Sequence, residues 1–242
     1  GADLLDILEV REVFERASEV LEIDLVHLAK EGSAEEVNDT FNAQALTMVL
    51  TVAIGKALMA QGKKPDALIG FSLGEISALA LAGILSLDDA FKLLKVRASA
   101  MAEACQQREG AMLALLAASH EDAEAVCEAC AGKDILLPAN FNCPGQVVLS
   151  GDAAAIERAE AHWKGMKKKC ARLKTAGGFH SPLMTSASEA LANYFEGSDA
   201  PVFNEAEITL ICNTDAAPFV VSEAAERLSA QVISPVLFEQ GV

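Results

Sequence analysis

Positive charge is scarce in this chain of 242 residues: 19 Lys and Arg stand against 35 Asp and Glu, a net charge of −16. Nonspecific attachment to nucleic acid or to an anionic membrane would work against that field, so both function classes fall away. Cysteine is sparse as well. The six present, at 105, 127, 130, 143, 170 and 212, have neither the density nor the even framing of a secreted disulfide scaffold, and a reducing compartment is expected. Cys127 and Cys130 form a C-x-x-C, but within HEDAEAVCEACA, whose spacing reads as a helix and lacks the turn and the second pair of a zinc site. Gly (16) and Pro (7) are few, and 52% hydrophobic against 22% charged residues is the balance of a packed globular chain. No apolar run approaches the roughly 18 residues that crossing a bilayer requires. The opening GADLLDILEV is acidic where a signal or transit peptide is basic, so a soluble chain is expected, any leader having been removed.

The length suits one large domain with an inserted subdomain. Residues 40–61 read as a helix with Thr40 at its N-cap and Gly62 at its end, so apolar on most faces that burial is expected. ALIG then reads as a short strand, FSLGE as a tight turn and ISALALAGIL as a helix, with Ser86, Asp88 and Asp89 opening the next helix to about Gln107. Strand, turn and helix in that order make a βα unit of an α/β fold. The middle changes rhythm: AMLALLA, ILLPANF, QVVLSG and KKCARLKT read as strands, with helices HEDAEAVCEACA and DAAAIERAEAHWKGM between them, the latter capped by Asp152. That β-α-β-β-α-β order is ferredoxin-like. The expected architecture is a large α/β domain with a parallel sheet (1–107 and 177–242) carrying a ferredoxin-like small subdomain (108–176).

Gly70-Phe71-Ser72-Leu73-Gly74 is a G-x-S-x-G between a strand and a helix. This is the setting of a nucleophile elbow: small flanking residues allow a sharp turn, and the helix N-terminus presents amides to an oxyanion. The alternative is a glycine-rich turn without chemistry. A nucleophilic serine needs a base, and the chain offers His27, His120, His162 and His180. His180 stands out in TAGGFHSPLM, after two glycines and before a Ser181-Pro182 helix start, on a loop where the chain returns to the large lobe. Arg97 is placed by helical phase with Leu93, Leu94, Ala100, Met101 and Ala104, away from the polar stripe, and so points inward. Its compensating anion is either a structural Asp or Glu or a carboxylate arriving on a ligand. Lys164, Lys167, Lys168, Lys169, Arg172 and Lys174 crowd one stretch, either as a solvated helix end or as a docking patch for an acidic partner or nucleotide phosphates.

Taken together, GFSLGE, the helix with VRASAM, NFNCPGQVVLSG, GGFHSPLM and QVISPVLFEQGV resemble, nearly end to end and in family order, the malonyl-CoA:acyl carrier protein transacylases and the related acyltransferase domains of fatty acid and polyketide synthases. The fold this implies is α/β-hydrolase-like. The resemblance implies that Ser72 carries the acyl group as an ester and that His180 is its base, oriented by the backbone carbonyl of Gln231 and not by an Asp such as Asp215. It also implies that Arg97 grips the malonyl carboxylate, that Leu73 gives an oxyanion amide, that Gln44 lies near the pocket, and that Phe179 leaves little room for an α-methyl branch. Malonyl-CoA and acyl carrier protein are the implied substrate and partner, without metal or redox cofactor. A serine hydrolase and a noncatalytic segment of a synthase domain are the alternatives.

The sequence departs from the family pattern in two places. Phe71 stands where bacterial members usually have His, a form more like mitochondrial relatives, so a mitochondrial or cytoplasmic setting is expected, with a plastid as a further option. The F-P-G-Q-G and G-P-G motifs of the family's two ends do not occur, and a truncated, processed or excised segment is expected.

Overall fold

The computed structural model describes residues 2–242, the side chain of Asn38 excepted. The elements follow in the order α1 (Leu8–Leu21), α2 (Leu25–Glu31), α3 (Ala34–Asn38), α4 (Thr40–Ala60), β1 (Ala67–Ile69), α5 (Leu73–Leu81), α6 (Leu87–Gln107), β2 (Gly110–Leu116), α7 (His120–Cys130), β3 (Leu136–Cys143), β4 (Gln146–Asp152), α8 (Ala153–Gly165), β5 (Cys170–Arg172), α9 (Thr185–Glu196), β6 (Thr209–Ile211), α10 (Ala224–Gln231) and α11 (Phe238–Gly241). They form two compact units. The first runs to Ser99 and adds Gly197–Cys212 and Pro218–Ala224; the second comprises Ala100–Glu196, Asn213–Ala217 and Ala225–Val242.

In the first unit β1 and β6 pair in parallel, Ala67 opposite Thr209 and Ile69 opposite Ile211. Two strands far apart in sequence and parallel require a crossover, which is how α/β chains are wound. The helix expected over 40–61 is α4, but its cap is Asp39, whose carboxylate accepts from the amides of Phe41 and Asn42 at 3.0 and 3.1 Å, not Thr40. An aspartate one residue earlier reaches the first-turn amides and leaves Thr40 inside the helix. The expectation that α4 is buried needs correction too. Ala45, Met48, Val49, Val52, Ala53 and Ala57 are buried and α4 packs against α1 and α5, while Ile54 and Leu58 remain 37% and 46% exposed. Over its best window this 21-residue helix has a mean hydropathy of 1.5, so by length and composition it could cross a membrane. The sequence still holds no unbroken apolar run of that length, because Gln44, Thr47, Thr51 and Lys56 interrupt it.

The second unit contains β2-α7-β3-β4-α8-β5. Its sheet has the order β3-β4-β2-β5, every neighbour antiparallel, which is the strand order of a ferredoxin-like sheet. The period of two separates its faces. Leu113, Leu115, Val147 and Leu149 join Val126 of α7 and Ile156 and Trp163 of α8 in one core. Met112, Ala114, Ala139 and Val148 form the opposite face, against which Phe179 packs. The loop that carries His180 is thereby seated on the sheet face away from α7 and α8.

Asp152 stands at the N-cap of α8 as expected, yet its side chain makes no capping bond. It accepts from both Nε and Nη2 of Arg108, the latter at 2.6 Å, and from the amide of Ile135 at 2.6 Å. A carboxylate only 8% exposed gains more from a bidentate guanidinium than from a helix amide. Asp152→Ala leaves Arg108 and the Ile135 amide without this acceptor. It is expected to cost the chain about 1–3 kcal/mol, read as a lower urea midpoint with an unchanged m-value.

Candidate active site

The chain leaves β1 at Ile69 and enters α5 at Leu73, so the turn between them has three residues, with Ser72 at φ 52° and ψ −106°. That combination lies outside the regions an L-residue ordinarily occupies and is the kind of strain held at functional positions. Gly70 makes the turn possible: a Cβ there would sit 1.9 Å from the Gly74 carbonyl oxygen and 2.4 Å from the Glu75 nitrogen. The second glycine of G-x-S-x-G is different, since a Cβ on Gly74 would meet nothing within 4 Å. Only the first is demanded by close backbone approach. Leu73 opens α5 directly after the serine, so its amide belongs to the helix turn whose N–H groups lack intrahelical acceptors.

Arg97 is 3% exposed, as its helical phase implied. Its Nη2 donates to the Ser72 hydroxyl at 2.9 Å. Burial pushes the guanidinium down from its ordinary 12.5 to about 10, and the nearby Glu75 carboxylate works against that fall. A cation with a pKa near 10 is still charged at neutral pH, so a positive group touches the hydroxyl of the strained residue. Gln44 lies partly buried on α4 of the same unit.

His180, in the second unit, is 3% exposed and also takes a positive φ, 55°. Its Nδ1 lies 3.0 Å from the Gln231 carbonyl oxygen and 3.1 Å from that of Ser234. Carbonyl oxygens only accept, so Nδ1 must carry a proton, which in the neutral imidazole leaves the lone pair on Nε2. The Nδ1 proton is thus held by backbone at and just beyond the C-terminal end of α10, and the Gln231 carbonyl is the one that the family resemblance pairs with this histidine. Phe179 precedes the histidine against Met112, Ala114, Ala139 and Val148. Asp215, the acid a triad search would choose, accepts from Arg227 Nη1 at 2.7 Å and from the Ala217 amide at 3.1 Å.

Several of the other candidates are engaged elsewhere in the fold, while His162 lies exposed on α8. His27 is on α2 with its Nδ1 3.6 Å from Glu31. His120 opens α7, 3.1 Å from Glu239, with its ring tilted against that of Phe141 at a centroid distance of 4.4 Å. Cys127 and Cys130 are free thiols buried in α7, and burial pushes Cys127 up to about 12. In the basic stretch Lys164 meets Glu160 at 2.6 Å, Lys168 meets Asp122 at 3.0 Å and Arg172 meets Glu157 at 3.7 Å. Two participants escaped the sequence reading. The Ser234 carbonyl has no side-chain signature. Glu75, 1% exposed in the first turn of α5, resembles an ordinary acid favoured by a helix N-terminus.

An α/β chain with a strained serine ahead of a helix and a histidine held by carbonyls has the equipment of an acyl-transferring enzyme. The chain belongs to the acyl transferase domain family, whose match covers residues 1–242. Among curated relatives it is 37% identical over 237 residues to the malonyl CoA-acyl carrier protein transacylase of Bacillus subtilis, covering 96% of this chain and 73% of that protein. It is 34% identical over 252 residues to the probable mitochondrial malonyl-CoA-acyl carrier protein transacylase of Drosophila melanogaster, covering 98% and 66%. Among solved structures it matches a malonyl-transacylase complexed with a type II PKS acyl-carrier protein, at a TM-score of 0.90 and 32% identity over 97% of this chain and 76% of that one.

The two glycines flanking Ser72 are expected to behave differently on substitution. Gly70→Ala should unfold the turn or lower the melting temperature by several degrees, whereas Gly74→Ala should leave thermal stability within a degree or two of the parent, both read by differential scanning calorimetry.

Proposed function

We propose that this chain transfers malonyl from malonyl-CoA to the phosphopantetheine thiol of an acyl carrier protein by a two-step, ping-pong route through a Ser72 ester, with His180 as the base. The observation that carries the reading is the buried Arg97 guanidinium hydrogen-bonded to the Ser72 hydroxyl at 2.9 Å. A cation there receives an acyl chain that ends in a carboxylate and sets its thioester carbonyl near the serine oxygen.

In the first step the Ser72 oxygen attacks the thioester carbonyl while His180 Nε2 takes its proton. The tetrahedral oxyanion collapses, the C–S bond breaks, and the coenzyme A sulfur leaves with the proton returned from the imidazolium. In the second step the carrier thiol gives its proton to His180 and its sulfur attacks the ester carbonyl to form the new C–S bond; the C–O bond then breaks and the imidazolium returns the proton to the Ser72 oxygen. The Leu73 amide donates to the oxyanion in both steps. The Gln231 and Ser234 carbonyls hold the Nδ1 proton throughout, so no carboxylate is needed to fix the tautomer. Phe179 narrows the space beside the acyl α-carbon, and Gln44 lines the approach from α4. The chemistry asks for no metal or redox cofactor. An acyl carrier protein as acceptor is supported by the names of the relatives. A cytoplasmic or mitochondrial setting is supported by the six free thiols and by the mitochondrial relative.

Ser72→Ala should take up no radiolabelled malonyl from malonyl-CoA, read by intact mass and scintillation on the isolated protein; labelling retained by this variant ends the ester route. Arg97→Ala should lose malonyl loading relative to acetyl loading by roughly ten- to a hundredfold, the equivalent of one charge-assisted hydrogen bond of about 1.5–3 kcal/mol. Release of malonate without transfer to carrier would identify a hydrolase instead.

The pH dependence follows from burial of Arg97. The guanidinium is charged below a pKa of about 10, so the malonyl-over-acetyl preference is expected to hold through neutral pH and to fall as pH rises through about 10. Single-turnover loading with each thioester across that range measures it.

A further inference from the structure

Glu75 is a buried carboxylate that the two-step mechanism above does not use. Its side chain is 1% exposed, in a chain whose 35 acidic residues are overwhelmingly at the surface. Acids this deep are rare unless a cation compensates them. The same residue fastens both it and Arg97: the Glu75 amide donates to the Ser72 carbonyl at 3.0 Å, and Arg97 Nη2 donates to the Ser72 hydroxyl at 2.9 Å. The carboxylate also acts electrostatically on Arg97, favouring its charged form against desolvation. Gly70 allows the turn to pass within contact of Gly74 and Glu75, so the acid is held by backbone that has little freedom to move.

We infer that Glu75 is a positioning residue for Arg97: its buried negative charge holds the guanidinium against the elbow in the pose that offers its donors to the carboxylate of the incoming acyl group. The inference rests on the malonyl-transfer reading and deepens it, since it assigns carboxylate selection to a pair of residues and not to the arginine alone. A guanidinium is planar, with its donors fixed in a fork. An anion on one side therefore decides which edge is left for the ligand. Position 75 lies one helical turn from the nucleophile, so the strained turn that presents the serine also fixes the anion.

Two other roles make different forecasts. If Glu75 serves only as an acid near the N-terminus of α5, or only fills space, its loss weakens malonyl and acetyl loading together. If its charge merely repels the ligand carboxylate, its loss strengthens malonyl loading. The positioning role alone lowers malonyl loading while sparing acetyl.

The test is Glu75→Gln, nearly isosteric and neutral, assayed as the whole chain for loading by malonyl-CoA and acetyl-CoA beside the parent and Arg97→Ala. Malonyl kcat/KM should fall at least tenfold, chiefly through KM, with acetyl loading changed less than threefold. Glu75→Asp, which keeps the charge one methylene back, should give a malonyl-to-acetyl ratio between those of the parent and Glu75→Gln. Should Glu75→Gln fail to fold, the Asp variant decides alone, with a ratio lowered by about threefold expected. An unchanged or raised ratio in the folded variant overturns the inference. If Arg97→Ala itself leaves the ratio unchanged, the malonyl reading has failed; if Arg97→Ala lowers it and Glu75→Gln does not, only the role of Glu75 has failed.

Discussion

A guanidinium sealed from water against a serine hydroxyl is the constraint on which the first unit depends. Arg97 is 3% exposed and its charge must be compensated or lost. Burial has taken part of that toll already, drawing its pKa down to about 10. What favours the charged form is the Glu75 carboxylate, while the Ser72 oxygen accepts from Nη2 at 2.9 Å. The same few residues must therefore stabilise a buried charge, hold a turn at φ 52° and present a hydroxyl. Backbone strain of this kind costs about 1–3 kcal/mol per residue, and the buried apolar faces of α4, α5 and α6 around the turn supply the offset.

The second unit solves a different problem, that of holding one imidazole in one tautomer. Two backbone carbonyls do so. A carbonyl carries no charge that titrates, so the Nδ1 proton is retained without placing a second buried carboxylate in the fold. His180 is itself at positive φ, as is Ser72, so each occupies a conformation that an L side chain disfavours. Surroundings that over-determine those conformations are the common feature: Gly70 packed on Gly74 in one unit, and Phe179 wedged onto a sheet face in the other.

The readable features were those written in local spacing. The inward turn of Arg97 follows from helical phase, the elbow from G-x-S-x-G between strand and helix, and the ferredoxin-like subdomain from the β-α-β-β-α-β order of its segments. The unreadable ones arise from competition between partners distant in sequence. Asp152 looks like a helix cap and instead binds Arg108, 44 residues away, because a bidentate cation outbids an amide. Thr40 looked like a cap, and Asp39 took the role with a better acceptor. Gly74 looked indispensable through its place in a motif, yet space is open around it. Glu75 was hidden because an acid in a first helical turn is unremarkable until its burial is known. A backbone carbonyl such as that of Ser234 leaves no trace in residue type at all.

Charge gives the last step of the synthesis. The basic stretch from the last turn of α8 to just past β5 concentrates cations in a chain of net charge −16, but Lys164, Lys168 and Arg172 each meet an acid of their own unit. Lys168 also lies over the Trp163 ring at 4.2 Å. Much of that positive potential is therefore spent on the fold, and exposed pairs of this sort are further screened at ordinary salt. A coenzyme A thioester is itself an anion, so long-range steering would oppose its approach. In the proposed reading, recognition comes from groups that act at contact distance, where a buried guanidinium is screened less than exposed charges. Selectivity for a carboxylated cargo would then be consistent with a strongly acidic protein, because the cation proposed to receive it is buried, favoured in its charged form by Glu75 and hydrogen-bonded to Ser72.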